Sequence, residues 1–210
     1  LATDTSIAGE MRRRISEKMA KKGHPKDLLP PQAFATSLEH KGFTGTVTLR
    51  PPTLGLLIKD IVQSLYENDF KTVVILNFHG GNFILKPTIR EINYDHPERK
   101  VIFYDGGAIP ENEKKGLFET AGIHSGEAET SIMLAINKKY VRSERPDFTP
   151  EQPQSALDML SLRNITPEGV WGTSSRASAQ KGERYLALES EYAARQILAW
   201  IATFENDCSY

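Results

Sequence analysis

The segment Thr72-Val73-Val74-Ile75-Leu76 followed at once by Asn77-Phe78-His79-Gly80-Gly81-Asn82 constrains this chain more than any other. A short, unbroken, β-branched apolar run has no polar face to show to water. It therefore predicts a strand buried on both sides, as in a parallel sheet covered by helices. The glycines that follow let the backbone turn tightly, and Phe83 to Tyr94 predicts the next helix. Ligands in such sheets bind beyond the carboxyl ends of the strands, which is where this order puts His79. We expect His79 at the end of a central parallel strand.

The rest of the chain repeats that grammar. Ile7, Ala8, Met11, Ile15 and Met19 recur at spacings of three and four and predict a helix over 6–22, stopped by Gly23. Residues 24–53 carry five prolines and predict a long irregular connection with a short strand at 46–49. Leu54 to Asn68 predicts a second helix, Lys100 to Tyr104 a second strand, Ala128 to Asn137 a further helix and Ala177 to Phe204 a last long one, with 142–175 as loop. Helices alternating with strands predict a three-layer α/β/α fold with a mostly parallel sheet, in one domain spanning 1–210.

Composition narrows the partners. The 26 basic and 27 acidic residues leave a net charge of -1, which offers no electrostatic footprint for nucleic acid or an anionic membrane. No apolar run approaches the roughly 18 residues of a membrane span. The single cysteine, Cys208, rules out a disulfide within the chain and fits a reducing, cytoplasmic setting. The chain opens on Leu1-Ala2-Thr3, which reads as the interior of a longer protein and leads us to expect an upstream segment.

Four features could carry chemistry. His79, a neutral imidazole at a strand end, suits zinc, manganese or iron, and reads equally as a structural residue in a strand-to-helix turn. Gly80 and Gly81 allow close approach of a ligand, and Asn82 could orient a substrate or cap the next helix. In Ile123-His124-Ser125-Gly126-Glu127-Ala128-Glu129, His124 and Glu127 stand three apart at a helix start. On one face of that helix they could bind a metal or move a proton, and they could equally be a capping arrangement. Glu129 is either a first-turn acid or an outer partner of that site. Asp4, between two threonines, reads as a helix N-cap. His40 is a weaker candidate, and His24 and His96, beside prolines, are expected in exposed loops.

Together these pieces resemble the creatininase (creatinine amidohydrolase) family. The likeness rests on Thr3-Asp4-Thr5, on Glu39-His40 with Phe43-Thr44-Gly45-Thr46, on His79 to Asn82, on His124 to Ser131, on Gly169-Val170-Trp171-Gly172, and on Lys181-Gly182-Glu183, in that order. The resemblance implies an amidohydrolase in which a divalent metal, zinc first and manganese or iron next, activates water against a C–N bond of a small cyclic amide or formamide. It implies Asp4, His79 and Glu127 as metal ligands, with Asp4 bridging where two ions bind. It implies His124 and Glu127 as catalytic groups, and His40, Gly80, Gly81, Asn82 and Trp171 against the substrate. It also implies a homo-oligomer, trimer or hexamer. Three departures stand out. The family's Glu-x-His strand would lie upstream of residue 1, Thr44 replaces the family's proline, which alters a loop and not the chemistry, and Gly81 stands where creatininase itself has an acidic ligand, which argues against creatinine as substrate. The alternative is a non-catalytic relative with an incomplete metal site. A phosphate-binding nucleotide domain built on Gly80-Gly81 is disfavoured, because no full glycine-rich motif is present.

Overall fold

The computed structural model describes residues 3–24 and 27–207. Cys208 and the opening Leu1-Ala2 lie outside the described residues.

The apolar run folds as expected. Strand β1, Thr72–Asn77, pairs in parallel with β2, Lys100–Asp105, matching Thr72 to Lys100 and Asn77 to Asp105. Side chains alternate across a strand, and here both sets are apolar. Val74, Leu76, Ile102 and Tyr104 face one helical layer: α1 (Thr3–Ala20), α5 (Glu127–Asn137) and α7 (Ala179–Asp207). Val73, Ile75, Val101 and Phe103 face the other: α2 (Pro51–Glu67) and α3 (Leu85–Asp95). The result is the expected α/β/α arrangement.

Each helix buries the stripe its periodicity defines. In α1, Ile7, Met11 and Ile15 are almost fully buried, and Gly23, at φ +83°, closes the turn after the helix. Helix α2 begins earlier than its apolar stripe suggests, at Pro51 and Pro52. Proline is favoured in a first helical turn, where its missing N–H has no partner to lose. Between β2 and α5 lies the one-turn α4 (Glu111–Lys114).

Three expectations need correction. Residues 46–49 form no strand: the segment is held by Leu49 N–H to Ala35 O at 2.9 Å and by Ser37 N–H to the Thr48 hydroxyl at 2.8 Å, too few bonds for a ladder. The loop 142–175 contains two-residue strands β3 (Asp147–Phe148) and β4 (Gly172–Thr173), paired antiparallel, and the one-turn α6 (Leu162–Ile165). Strand β1 is not central. Among the described residues it pairs with β2 alone, and its other edge faces a groove of about 1500 Å³ that runs between the helical layers to Asp4, His79 and His124. No helix among the described residues is long and apolar enough to cross a membrane.

Candidate metal centre

The turn after β1 is a hydrogen-bonded lock. Asn82 gives both ends of its amide to it: Nδ2 donates to Asn77 Oδ1 at 2.9 Å, and Oδ1 accepts from the Thr36 hydroxyl at 2.9 Å and from Thr36 N at 3.2 Å. Thr36, fully buried, bonds to Gly81 O as well, at 2.6 Å. Asn77 Nδ2 reaches His79 O and Asp105 Oδ1. The Asn82 amide pins the 36–37 loop to the strand end, and the residue also lines the groove. Gly80 faces open space, while Gly81 lies against Glu39 and His79.

This lock sets the tautomer of His79. Its Nε2 lies 2.9 Å from Thr36 O, and a carbonyl oxygen can only accept, so Nε2 carries the proton. Nδ1 is then the nitrogen with a lone pair to offer in the neutral ring. It stands 3.0 Å from Asp4 Oδ2. Asp4 reaches it from inside the first turn of α1, not from an N-cap position before the helix as expected. Glu39 Oε1 stands 3.2 Å from Nε2 on the ring's far side. Burial, the largest influence, disfavours the imidazolium, but the Asp4 and Glu39 carboxylates outweigh it and push the ring up to about 10.

His124 is delivered from the other side. It pairs through its backbone with Trp171, Trp171 N–H donating to His124 O at 2.8 Å and His124 N–H to Trp171 O at 3.2 Å. The two segments meet this closely because only hydrogens stand between them: a Cβ on Gly172 would lie 2.8 Å from Gly126 Cα. The Trp171 side chain is 5% exposed and packs with Leu162, Ile165 and Ala156. It is a core residue whose backbone positions His124, which corrects its expected place against substrate. His40, on the single-turn helix 38–40, does join the site, its ring centroid 4.5 Å from that of His124 and 6.1 Å from that of His79. Burial holds both His40 and His124 below the usual imidazole range, so both rings are neutral at pH 7.

The two glutamates exchange the parts expected of them. Glu127 is buried and committed elsewhere. Its Oε1 accepts from Lys181 Nζ at 2.6 Å, and its Oε2 accepts from the Thr120 hydroxyl at 2.8 Å and from the N–H groups of Thr120 and Glu119 at 2.9 Å. Against its burial, Lys181 and these donors hold its carboxyl below the usual range. Glu127 ties the 119–120 loop to α7, and the structure does not bring it to Asp4 and His79. Glu129 instead turns toward the histidines, accepting the Ser125 N–H and lying 3.7 Å from His124 Nδ1. Burial, then the charge of Asp4, pushes its carboxyl up to about 7. His24 and His96 stay outside this group, half-buried rather than exposed, and His96 packs edge-on against Tyr66.

Among the described residues, no three His, Cys, Asp or Glu side chains are already drawn into a ligand cage. Two donors of the kind a divalent metal takes nevertheless stand together, the Asp4 carboxylate and, once its proton is displaced, His79 Nδ1, with the outer nitrogen of the ring held by a carbonyl and the Glu129 carboxylate beside His124. Oxygen and imidazole donors suit zinc, manganese or iron, and a hydrogen-bonded outer nitrogen is the usual support for a histidine ligand.

That pairing makes a pH prediction for the metal-free protein. His79 has a folded pKa above its ordinary 6.5, so its ion pairs contribute stability that is complete below about 6.5 and lost as pH rises through about 10. Thermal melting temperature in chelator should fall across that window, and His79→Gln should flatten the fall. A metal must displace this proton, so zinc affinity should rise with pH over the same range.

Comparison with known proteins agrees with the fold. The sequence model of the creatininase family, described as creatinine amidohydrolase, matches residues 1–197. A mycofactocin precursor peptide peptidase from Mycolicibacterium smegmatis is 29% identical over 210 residues, covering 95% of this chain and 78% of the relative. A proposed creatinine amidohydrolase from Bacteroides fragilis superposes with a TM-score of 0.78 at 25% identity, covering 99% of this chain and 83% of that one. A creatininase variant of Zn-Zn type superposes at 0.71 with 22% identity, covering 92% of this chain and 80% of that one. With that model matching residues 1–197 and the layers of its fold shared with solved members, the chain belongs to the creatininase family of hydrolases.

Proposed function

We propose that the chain is a metal-dependent amidohydrolase that adds water across a C–N bond of a small cyclic amide or formamide-type substrate. The observation that carries this reading is the pairing of His79 Nδ1 with Asp4 Oδ2 at a strand end, 3.0 Å apart with Nε2 already committed to Thr36 O, so that a metal displacing the Nδ1 proton would meet both donors. Asp4, His79 and Glu129 would hold the metal, zinc first by the Zn-Zn form of the structural relative, with manganese or iron as alternatives. A divalent metal so bound lowers the pKa of water toward about 7 and polarises a carbonyl oxygen.

This chain's own residues supply the proton handling. His124 is neutral at pH 7 and so can accept a proton from attacking water. Protonated in that way, it can pass the proton to the leaving nitrogen. His40, against its ring, restricts its orientation. The Trp171 backbone fixes where His124 stands.

A second reading, hydrolysis of a peptide C–N bond, is favoured by the peptide peptidase relative that matches nearly the whole chain. Purified protein loaded with zinc, then offered a cyclic amide, an N-formyl amine and a short peptide series, separates the two by the amine released. We expect turnover of the cyclic amide or formamide. Cleavage of peptides alone would transfer the proposal to the second reading. No turnover of any class by zinc-, manganese- or iron-loaded protein would favour the non-catalytic alternative.

A further inference from the structure

Gly81 is a glycine for reasons of space. Its φ is not positive, so its backbone conformation is open to any residue. A Cβ built there would nevertheless fall 2.5 Å from Glu39 Oε1, 2.8 Å from Glu39 Oε2 and 2.5 Å from His79 Nε2. Glu39 thus occupies the volume that a side chain at 81 would take. It arrives there from the single-turn helix 38–40, with its side chain 18% exposed. Its Oε1 is 3.2 Å from His79 Nε2 and 3.5 Å from His40 Nε2.

His79 therefore commits its single Nε2 proton to Thr36 O at 2.9 Å, with the Ser37 hydroxyl 3.2 Å away, while Glu39 Oε1, buried without a hydrogen bond 3.2 Å from the same nitrogen, acts on the ring through its charge, and the other nitrogen faces Asp4. We propose that Glu39 is the positioning residue for His79, its carboxylate fixing the ring and strengthening Nδ1 as a donor, and that Gly81 keeps the place for it. The inference rests on His79 as a metal ligand through Nδ1. A carboxylate behind a histidine ligand orients the ring and raises its basicity, and losing such a partner costs about 10–100-fold in metal affinity.

The test measures zinc affinity by competition with a chromophoric chelator. Glu39→Gln keeps the shape and removes the charge, and should bind zinc about tenfold more weakly, with Glu39→Ala weaker still, toward about 100-fold. Glu39→Asp, which keeps the charge, should fall between wild type and Glu39→Ala. Gly81→Ala, which leaves Glu39 in the sequence but crowds it, should also weaken zinc. Cobalt substitution gives a readout that a merely structural role would not move: the visible d–d bands should shift in Glu39→Gln, whose fold circular dichroism can verify. Zinc affinities of Glu39→Gln and Glu39→Asp within about twofold of wild type would overturn the proposal, as would a loss of turnover with zinc affinity unchanged. Wild-type protein that binds no zinc would overturn it together with the proposed function. Normal wild-type binding with unaffected Glu39 variants would overturn this inference alone.

Discussion

Replacing His79 by Ala is expected to abolish zinc binding at the site and hydrolysis with it, while leaving the fold intact. The surroundings of the ring fix its donor atom, with Thr36 O taking the Nε2 proton and Nδ1 left beside Asp4. Losing an outer partner already costs about 10–100-fold in metal affinity, so losing the donor itself should exceed the top of that range. The fold should survive because the loop lock passes through Asn82, Asn77 and Thr36, none of which the substitution removes. Calorimetric zinc titration and elemental analysis of His79→Ala beside wild type measure the effect. His124→Ala is the contrasting variant: it should keep most of the zinc and lose turnover.

The second large effect separates the two acids of α5. Glu127→Ala strands Lys181 and three donors that now converge on a buried carboxylate, and should cost about 2–4 kcal/mol of stability. Its zinc affinity should remain near wild type. Glu129→Gln should do the reverse. Its folded pKa of about 7 lies above the ordinary 4.5, so ionising Glu129 costs the metal-free fold stability as pH climbs through that window, and the full cost is present above about 7. At pH 8 the metal-free Glu129→Gln protein should therefore melt at least as high as wild type, yet bind zinc at least about tenfold more weakly. Melting curves in chelator and zinc titrations on the two variants give all four values.

The exchange between Glu127 and Glu129 shows where the sequence stops being readable. Spacing of three pairs two side chains only inside a continuous helix. His124 is not yet in one: Ser125 takes a positive φ of +51°, Gly126 is extended, and α5 opens at Glu127. The reversal turns Ser125 N–H toward Glu129 and leaves Glu127 facing Lys181, a partner far along the chain that no local pattern announces. Glu39 was hidden for a related reason. It sits in a long connection without periodicity, and its only signal was its place beside His40 in the family-like motif. By contrast, the 72–76 run, the helix stripes and the strand-end position of His79 were plain, because burial on both faces of a sheet dictates composition directly.

The most direct measurement is anomalous diffraction from crystals of the zinc-loaded protein, read at the zinc edge. The expected peak lies at bonding distance, about 2.0–2.2 Å, from His79 Nδ1 and an Asp4 oxygen, with Glu129 turned toward it and Glu127 still on Lys181. A peak bound through His79 Nε2, or one held by Glu127 with Asp4 and His79 left out, would contradict it.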